Sequence, residues 1–97
     1  MPAQVGKGEA LAILMLEVAE TLTGTPGCEL YAINRAVEDS DAVWASEVWA
    51  SQEALDDSLA VLRTDEGRSR LGEVQALLAG PPERIDLQPL GGVGLAG

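Results

Sequence analysis

Tyr31-Ala32-Ile33-Asn34-Arg35 and Glu47-Val48-Trp49-Ala50-Ser51-Gln52-Glu53-Ala54-Leu55 are the two stretches whose reading decides the fold. The first lies in an extended segment, residues 28–37. Glu38-Asp39-Ser40-Asp41 reads as a polar turn, and residues 42–50 as a second strand, so the two form an antiparallel hairpin. A helix starts at once: Ser51 is an N-cap type, and Glu53 in the first turn favours the helix dipole. Neither strand alternates cleanly. Leu30, Ala32 and Ala36 lie on one face of the first, Tyr31, Ile33 and Val37 on the other; Trp44 and Val48 oppose Val43 and Trp49 in the second. A sheet that is apolar on both faces expects cover on both. Helices supply one cover, and with so few elements a second subunit is the economical source of the other.

Outward from the hairpin, residues 9–23 carry Leu11, Leu14, Met15, Val18 and Leu22 at helical spacing, with Ile13 and Leu16 widening the stripe. Gly24 fits the helix end, and Thr25-Pro26-Gly27 a turn. Beyond Ser51, the positions Leu55, Leu59 and Leu62 form an inward stripe. Thr64 or Asp65 caps a further helix with Leu71, Val74, Leu77 and Leu78 inward, and Gly80-Pro81-Pro82 stops it. Ile85 and Leu87 then alternate with Arg84, Asp86 and Gln88, the pattern of a half-buried strand. Residues 91–97 read as a flexible tail. At the other end, at most residues 3–5 are extended. The order is helix, strand, strand, helix pair, strand. With one strand in front this is β-α-β-β-α-β, an α+β ferredoxin-like antiparallel sheet with helices on one face, a short or missing first strand, and one domain over residues 1–90.

Composition narrows the function. Ninety-seven residues leave room for one core, built from aliphatic residues because only Tyr31, Trp44 and Trp49 are aromatic. A formal net charge of −10 disfavours nucleic acid and anionic membrane surfaces, both of which need a basic patch. Cys28 is the single cysteine, so no intrachain disulfide exists. No secretory leader or apolar run of membrane-spanning length is visible, and a cytoplasmic location is expected. There is no histidine, no clustered metal-ligand pattern and no Gly-rich phosphate motif. Neither metal nor cofactor is expected.

Several segments resemble the antibiotic biosynthesis monooxygenase-like family of small dimeric α+β proteins, which includes quinol monooxygenase-like members. Val5-Gly6-Lys7-Gly8-Glu9-Ala10-Leu11 is similar to the family's junction between opening strand and first helix. Pro26-Gly27-Cys28 is similar to its turn into the second strand. Glu47-x-Trp49 with Ala54-Leu55 is the most specific piece. The resemblance spans about residues 5–90. It implies a homodimer and chemistry without metal or flavin on an electron-rich phenol or quinol, aromatic or polyketide in origin, whose anion reduces O₂ directly. The alternative is a non-catalytic dimeric module of the same fold that binds a small ligand or a partner.

Two departures stand out. The opening strand is nearly absent, so either residues upstream of Met1 are missing or another segment, such as Val93-Gly94-Leu95, fills its place. The histidine that the family often carries in Ala-Leu-x-x-His is Ser58 here, and serine alone is no near-neutral base. Heme ligation through histidine is excluded.

The resemblance nominates Asn34, Trp49 and Ser58 as catalytic and Tyr31, Arg35, Leu55 and Leu59 as substrate-binding. Each also has a purely structural reading. Trp49 is a pocket wall or a core aromatic. Tyr31 bonds a substrate oxygen or a backbone group. Asn34 orients a ligand or bonds locally. Arg35 stabilises a phenolate or pairs with Glu47 across the hairpin. Ser58 lines a cavity or bonds back to its own helix. Trp44, on the opposite face from Trp49, reads as a dimer contact, and Cys28 as a small buried apolar residue.

Overall fold

The computed structural model describes residues 1–93. Its elements are helix α1 (Gly8–Thr21), strands β1 (Cys28–Ala36) and β2 (Asp39–Trp49), helix α2 (Gln52–Ser58), a 3₁₀ turn over Leu59–Arg63, and helix α3 (Asp65–Leu77). β1 and β2 pair antiparallel. The architecture is the α+β arrangement expected from the sequence.

The place of the opening strand is taken by residues 1–4. On one side the Ala3 N–H donates to Asp41 O at 2.8 Å and the Val43 N–H to Met1 O at 3.1 Å. On the other, the Gln4 N–H donates to Leu77 O at 2.9 Å and the Ala79 N–H to Pro2 O at 2.8 Å. The short N-terminal segment is therefore central, between β2 and the end of α3, as the opening strand of a ferredoxin-like sheet should be. Val93 does not fill that place, because it lies fully in solvent. Gly94 and Leu95, like the rest of the expected tail from residue 94 onward, lie outside the described residues.

The core forms where this stub, α1, β2 and α3 meet. Ala3, Leu11, Met15, Val43 and Val74 are buried, and Leu14, Ile33, Leu77 and Leu78 pack against them. Leu11 and Val43 are sealed completely, each a burial worth about 1.5–3 kcal/mol. Leu11 and Met15, four residues apart, fall on one face of α1. Ile13 sits about 200° round from Leu11 at 100° per residue. It and Leu16 are half exposed, so they do not widen the buried stripe as expected.

The start of α1 is capped from elsewhere in the chain. Lys7, at the N-cap position, makes no side-chain cap. The Asp41 carboxylate of β2 instead accepts from the N–H groups of Gly6 at 3.1 Å and Gly8 at 2.9 Å. The approach is close enough that a Cβ on Gly8 would overlap the Ser40 carbonyl.

This contact also corrects the hairpin. The turn is Val37-Glu38, not residues 38–41, and β2 begins at Asp39. Asp41 gives its carbonyl to Ala3 and its carboxylate to α1, and its own N–H donates to Asp39 Oδ1 at 3.0 Å. Those bonds hold the polar residues in the strand. The register moves accordingly: Arg35 faces Val43, Tyr31 faces Glu47, and the expected Arg35–Glu47 ion pair is not made. A bulge separates Cys28 from Leu30.

Ser51 caps α2 as expected, its Oγ accepting the Ala54 N–H at 3.1 Å. The helix does not continue through Leu62, however. It tightens into the 3₁₀ turn at Leu59, leaving Leu59 and Leu62 exposed and Leu55 half-buried. Thr64 caps α3 by accepting the Gly67 N–H at 3.0 Å. Along α3, Val74 is buried, Leu77 and Leu78 are half-buried, and Leu71 is exposed. The expected strand at Ile85 and Leu87 is not formed either. Leu78 pairs with Ala3 in its stead, and no helix or strand follows among the described residues. Pro81 and Pro82, which lack N–H donors, prevent the ladder from running on.

Candidate functional site

Strand periodicity sorts the hairpin side chains into two sets. Ile33 and Val43 pack toward α1, so Tyr31, Ala45, Glu47 and Trp49 share the helix-facing side. Leu30, Ala32, Asn34, Trp44, Ser46 and Val48 share the other. Trp44 is 42% exposed there and Leu30 47%, so this second face is open.

On the helix-facing side, Tyr31 stands opposite Glu47, and the Trp49 indole N–H donates to Glu47 Oε1 at 3.1 Å. Burial pushes the Tyr31 phenol up to about 12, with the neighbouring Glu47 carboxylate and the Cys28 thiol adding to the effect. Tyr31 is thus a protonated hydroxyl, able to donate, throughout the neutral range. Tyr31 is among the residues that line an open cavity of about 170 Å³. Ala19, Leu22, Thr23 and Gly24 at the end of α1 form one wall, and Cys28, Glu29, Leu30 and Tyr31 of β1 the other.

The remaining nominated residues do not converge on Tyr31. Asn34 lies on the open face, where its Nδ2 donates to Ser46 Oγ at 3.1 Å and to the carbonyls of Ala32 and Trp44 at 3.4 Å. Ser58 is half-buried, and its Oγ donates to Leu55 O at 2.6 Å, the bond back to its own helix. Leu55 is half-buried and Leu59 exposed. Arg35 is exposed and has no carboxylate partner among the described residues. Cys28 is a half-buried free thiol. Sequence reasoning used Glu47 as a partner for Arg35 and as part of the Glu47-x-Trp49 motif, without giving it a role at the site. The signal that could have assigned it better is the i, i+2 spacing of Glu47 and Trp49, which puts both on one strand face. Nothing in the sequence marks Thr23 or Glu29 as cavity-lining.

Residues 1–61 match the family model for antibiotic biosynthesis monooxygenase. The chain belongs to that family. A solved structure from Chloroflexus aurantiacus J-10-fl, provisionally named an antibiotic biosynthesis monooxygenase, is 30% identical and superposes with a TM-score of 0.78 over 99% of this chain and 92% of its own. A conserved protein from Methanosarcina mazei Go1 shares the fold at 18% identity and a TM-score of 0.70, covering 84% of this chain and 77% of its own. No curated protein shows significant similarity. The segment in the place of the opening strand is a four-residue stub. Among the described residues no group of acids and cysteine is placed to share a metal ion, and no helix is long and apolar enough to cross a membrane.

Proposed function

We infer that this family member is a cofactor-independent monooxygenase-like domain acting on a small phenol or quinol held against Tyr31. The observation that carries the reading is Tyr31, a half-buried phenol pushed up to about 12 by burial and by Glu47, among the residues that line the cavity. In a reaction where the substrate anion reduces O₂, the protein must stabilise a phenolate and restrict water. A protonated phenol donor does the first. Burial first, and the Glu47 carboxylate second, disfavour the Tyr31 phenolate; Trp49 holds Glu47 through its indole N–H, so Trp49 acts here as a positioning residue. No near-neutral base lines the described cavity, so the anion comes from the substrate's own ionisation, and the rate should rise with pH through the substrate's pKa.

The working unit in this reading is a homodimer that covers Leu30, Trp44 and Val48 on the open sheet face. A cytoplasmic location fits the single unpaired Cys28. Asn34, Ser58, Arg35, Leu55 and Leu59 keep supporting roles: Asn34 at the dimer seam, Leu55 and Ser58 behind the sheet.

A second reading, a non-catalytic ligand-binding dimer, is favoured by one observation. The Ser58 hydroxyl, at the family's histidine position, is spent on Leu55 O. Oxygen uptake separates the two. Single-ring hydroquinones and three-ring anthrones are offered to the wild type, Tyr31→Phe, Trp49→Ala and Asn34→Ala. Turnover of the small quinols, reduced about a hundredfold in Tyr31→Phe, is expected. Uptake no faster than buffer with every substrate removes the oxygenase reading, and binding without uptake supports the second.

A further inference from the structure

The Tyr31 cavity is built where α1 ends. Leu22, Thr23 and Gly24, which follow the last turn of that helix, are among its lining residues. Peptide dipoles aligned along a helix leave about half a negative charge at its C-terminus, where cations are favoured. A Lys or Arg in the last turn would offset that charge, but α1 has no basic residue there and carries Glu20 instead. β1 brings a second negative group from the other side. Glu29 also lines the cavity, is exposed, and makes no ion pair among the described residues. It is the residue left without a partner in β2 at the bulge between Cys28 and Leu30.

Nothing nearby cancels this charge. No basic residue lines the cavity. Arg35, the one cation of β1, lies six residues beyond Glu29, about 20 Å along the strand and more than two screening lengths at physiological salt. The Arg84 guanidinium, which senses Glu47, is held by Asp86 at 2.8 Å. The formal net charge of −10 adds a long-range field of the same sign. Tyr31 contributes an aromatic ring, which itself attracts an ammonium. A phenolate forming here is therefore repelled by Glu29 and by the end of α1. A substrate that carries its own cation escapes this penalty. It enters as a cation and becomes a zwitterion when the phenol ionises, its ammonium facing the carboxylate while the Tyr31 hydroxyl donates to the phenolate.

We propose that the cavity takes a phenol or quinol bearing a protonated aliphatic amine, with Glu29 and the carbonyl end of α1 as its ammonium subsite. Glu29 is then the specificity-determining residue, favouring amine-bearing rings and rejecting rings that carry a carboxylate or sulfonate. The proposal rests on the reading of the Tyr31 cavity as the substrate site, and adds the charge class of the substrate.

The test is binding to the full chain, read by NMR titration, of three phenols of matched size and different charge: tyramine, 4-ethylphenol and 4-hydroxyphenylacetate. At low salt tyramine should bind about fivefold more tightly than 4-ethylphenol, and the carboxylate about fivefold more weakly. Both differences should shrink in 1 M salt, where the screening length is about 3 Å. Glu29→Gln should bring the tyramine preference down to about twofold, the share left to the helix end, and Glu29→Lys should reverse the order. Glu9→Gln removes the same formal charge from the opposite end of α1, about 20 Å away, and should leave the preference unchanged. Glu29 and Glu9 are exposed, so circular dichroism should show all three variants folded. Equal binding of the three phenols by the wild type overturns the ammonium subsite and leaves the phenol cavity in place. A preference that Glu29→Gln leaves intact, or that Glu9→Gln reduces as much, overturns it too. Binding of none of the three overturns both the subsite and the cavity as the substrate site. Charge-ordered binding without oxygen uptake from any quinol sustains the subsite and removes only the oxygenase reading.

Discussion

Tyr31 is the single tyrosine of the chain, so the near-ultraviolet phenolate band reports one group without deconvolution. In the folded protein its midpoint should lie near 12, against 10.0 for the free phenol. Burial is the largest cause and the Glu47 carboxylate the next. Glu47→Gln removes the second cause and keeps the shape, so the midpoint should fall toward the ordinary value but stay above it. In denaturant both proteins should titrate near 10. The consequence for stability has a definite sign. Between the unfolded and folded midpoints the unfolded chain has lost the proton while the folded chain retains it. Unfolding therefore becomes easier as pH rises through about 10 to 12. Full transmission of a two-unit shift is worth about 2.7 kcal/mol, but Tyr31 is only half-buried, and solvent screening reduces this to about 1 kcal/mol. Circular dichroism at each pH identifies the range in which the fold is intact. A phenolate midpoint near 10 in a protein that retains its helical signal would refute the placement of Tyr31 beside Glu47, and with it the donor assigned to the candidate site.

Other outcomes follow from the packing. Asp41→Ala deletes the carboxylate that caps α1 from β2 and should cost about 1–2 kcal/mol, with Asp41→Asn intermediate; thermal melts should read about 4–8 °C per kcal/mol. Gly8→Ala places a methyl against the Ser40 carbonyl and should cost about 1–3 kcal/mol in denaturant titrations, far from any effect on helix propensity, which alone favours Ala. Ser51→Ala removes the α2 cap for about 1 kcal/mol, seen as faster amide exchange confined to that helix. The proposed dimer predicts that Trp44→Asp on the open sheet face shifts light scattering to the monomer while leaving the melting of the protomer fold cooperative.

Much of this molecule is written locally. The 3.6-residue spacing of Leu11 and Met15, the Ser51 cap, and the two-residue alternation that separates Tyr31 and Trp49 from Asn34 and Trp44 depend only on neighbours in the chain. Each is present in the structure where local rules put it. The Ser58 hydroxyl bonds to its own helix for the same reason: the Leu55 carbonyl is within one turn. Other features depend on partners far away in sequence. Asp39-Ser40-Asp41 has turn chemistry, but the carbonyl of Asp41 meets Ala3 and its carboxylate meets the start of α1, which draws all three residues into β2. That shift of the turn replaces Arg35 by Tyr31 opposite Glu47. It thereby creates the pairing on which the candidate site rests. Residues 1–4 are too short and too rich in small residues to announce a strand; two neighbouring backbones make them one. Ile85 and Leu87 show the converse, a local strand pattern that stays unpaired because Leu78 already holds the place beside Ala3. Side-chain periodicity can be read along one dimension. Register and strand partners are chosen by hydrogen bonds across the chain, and only the assembled sheet decides them.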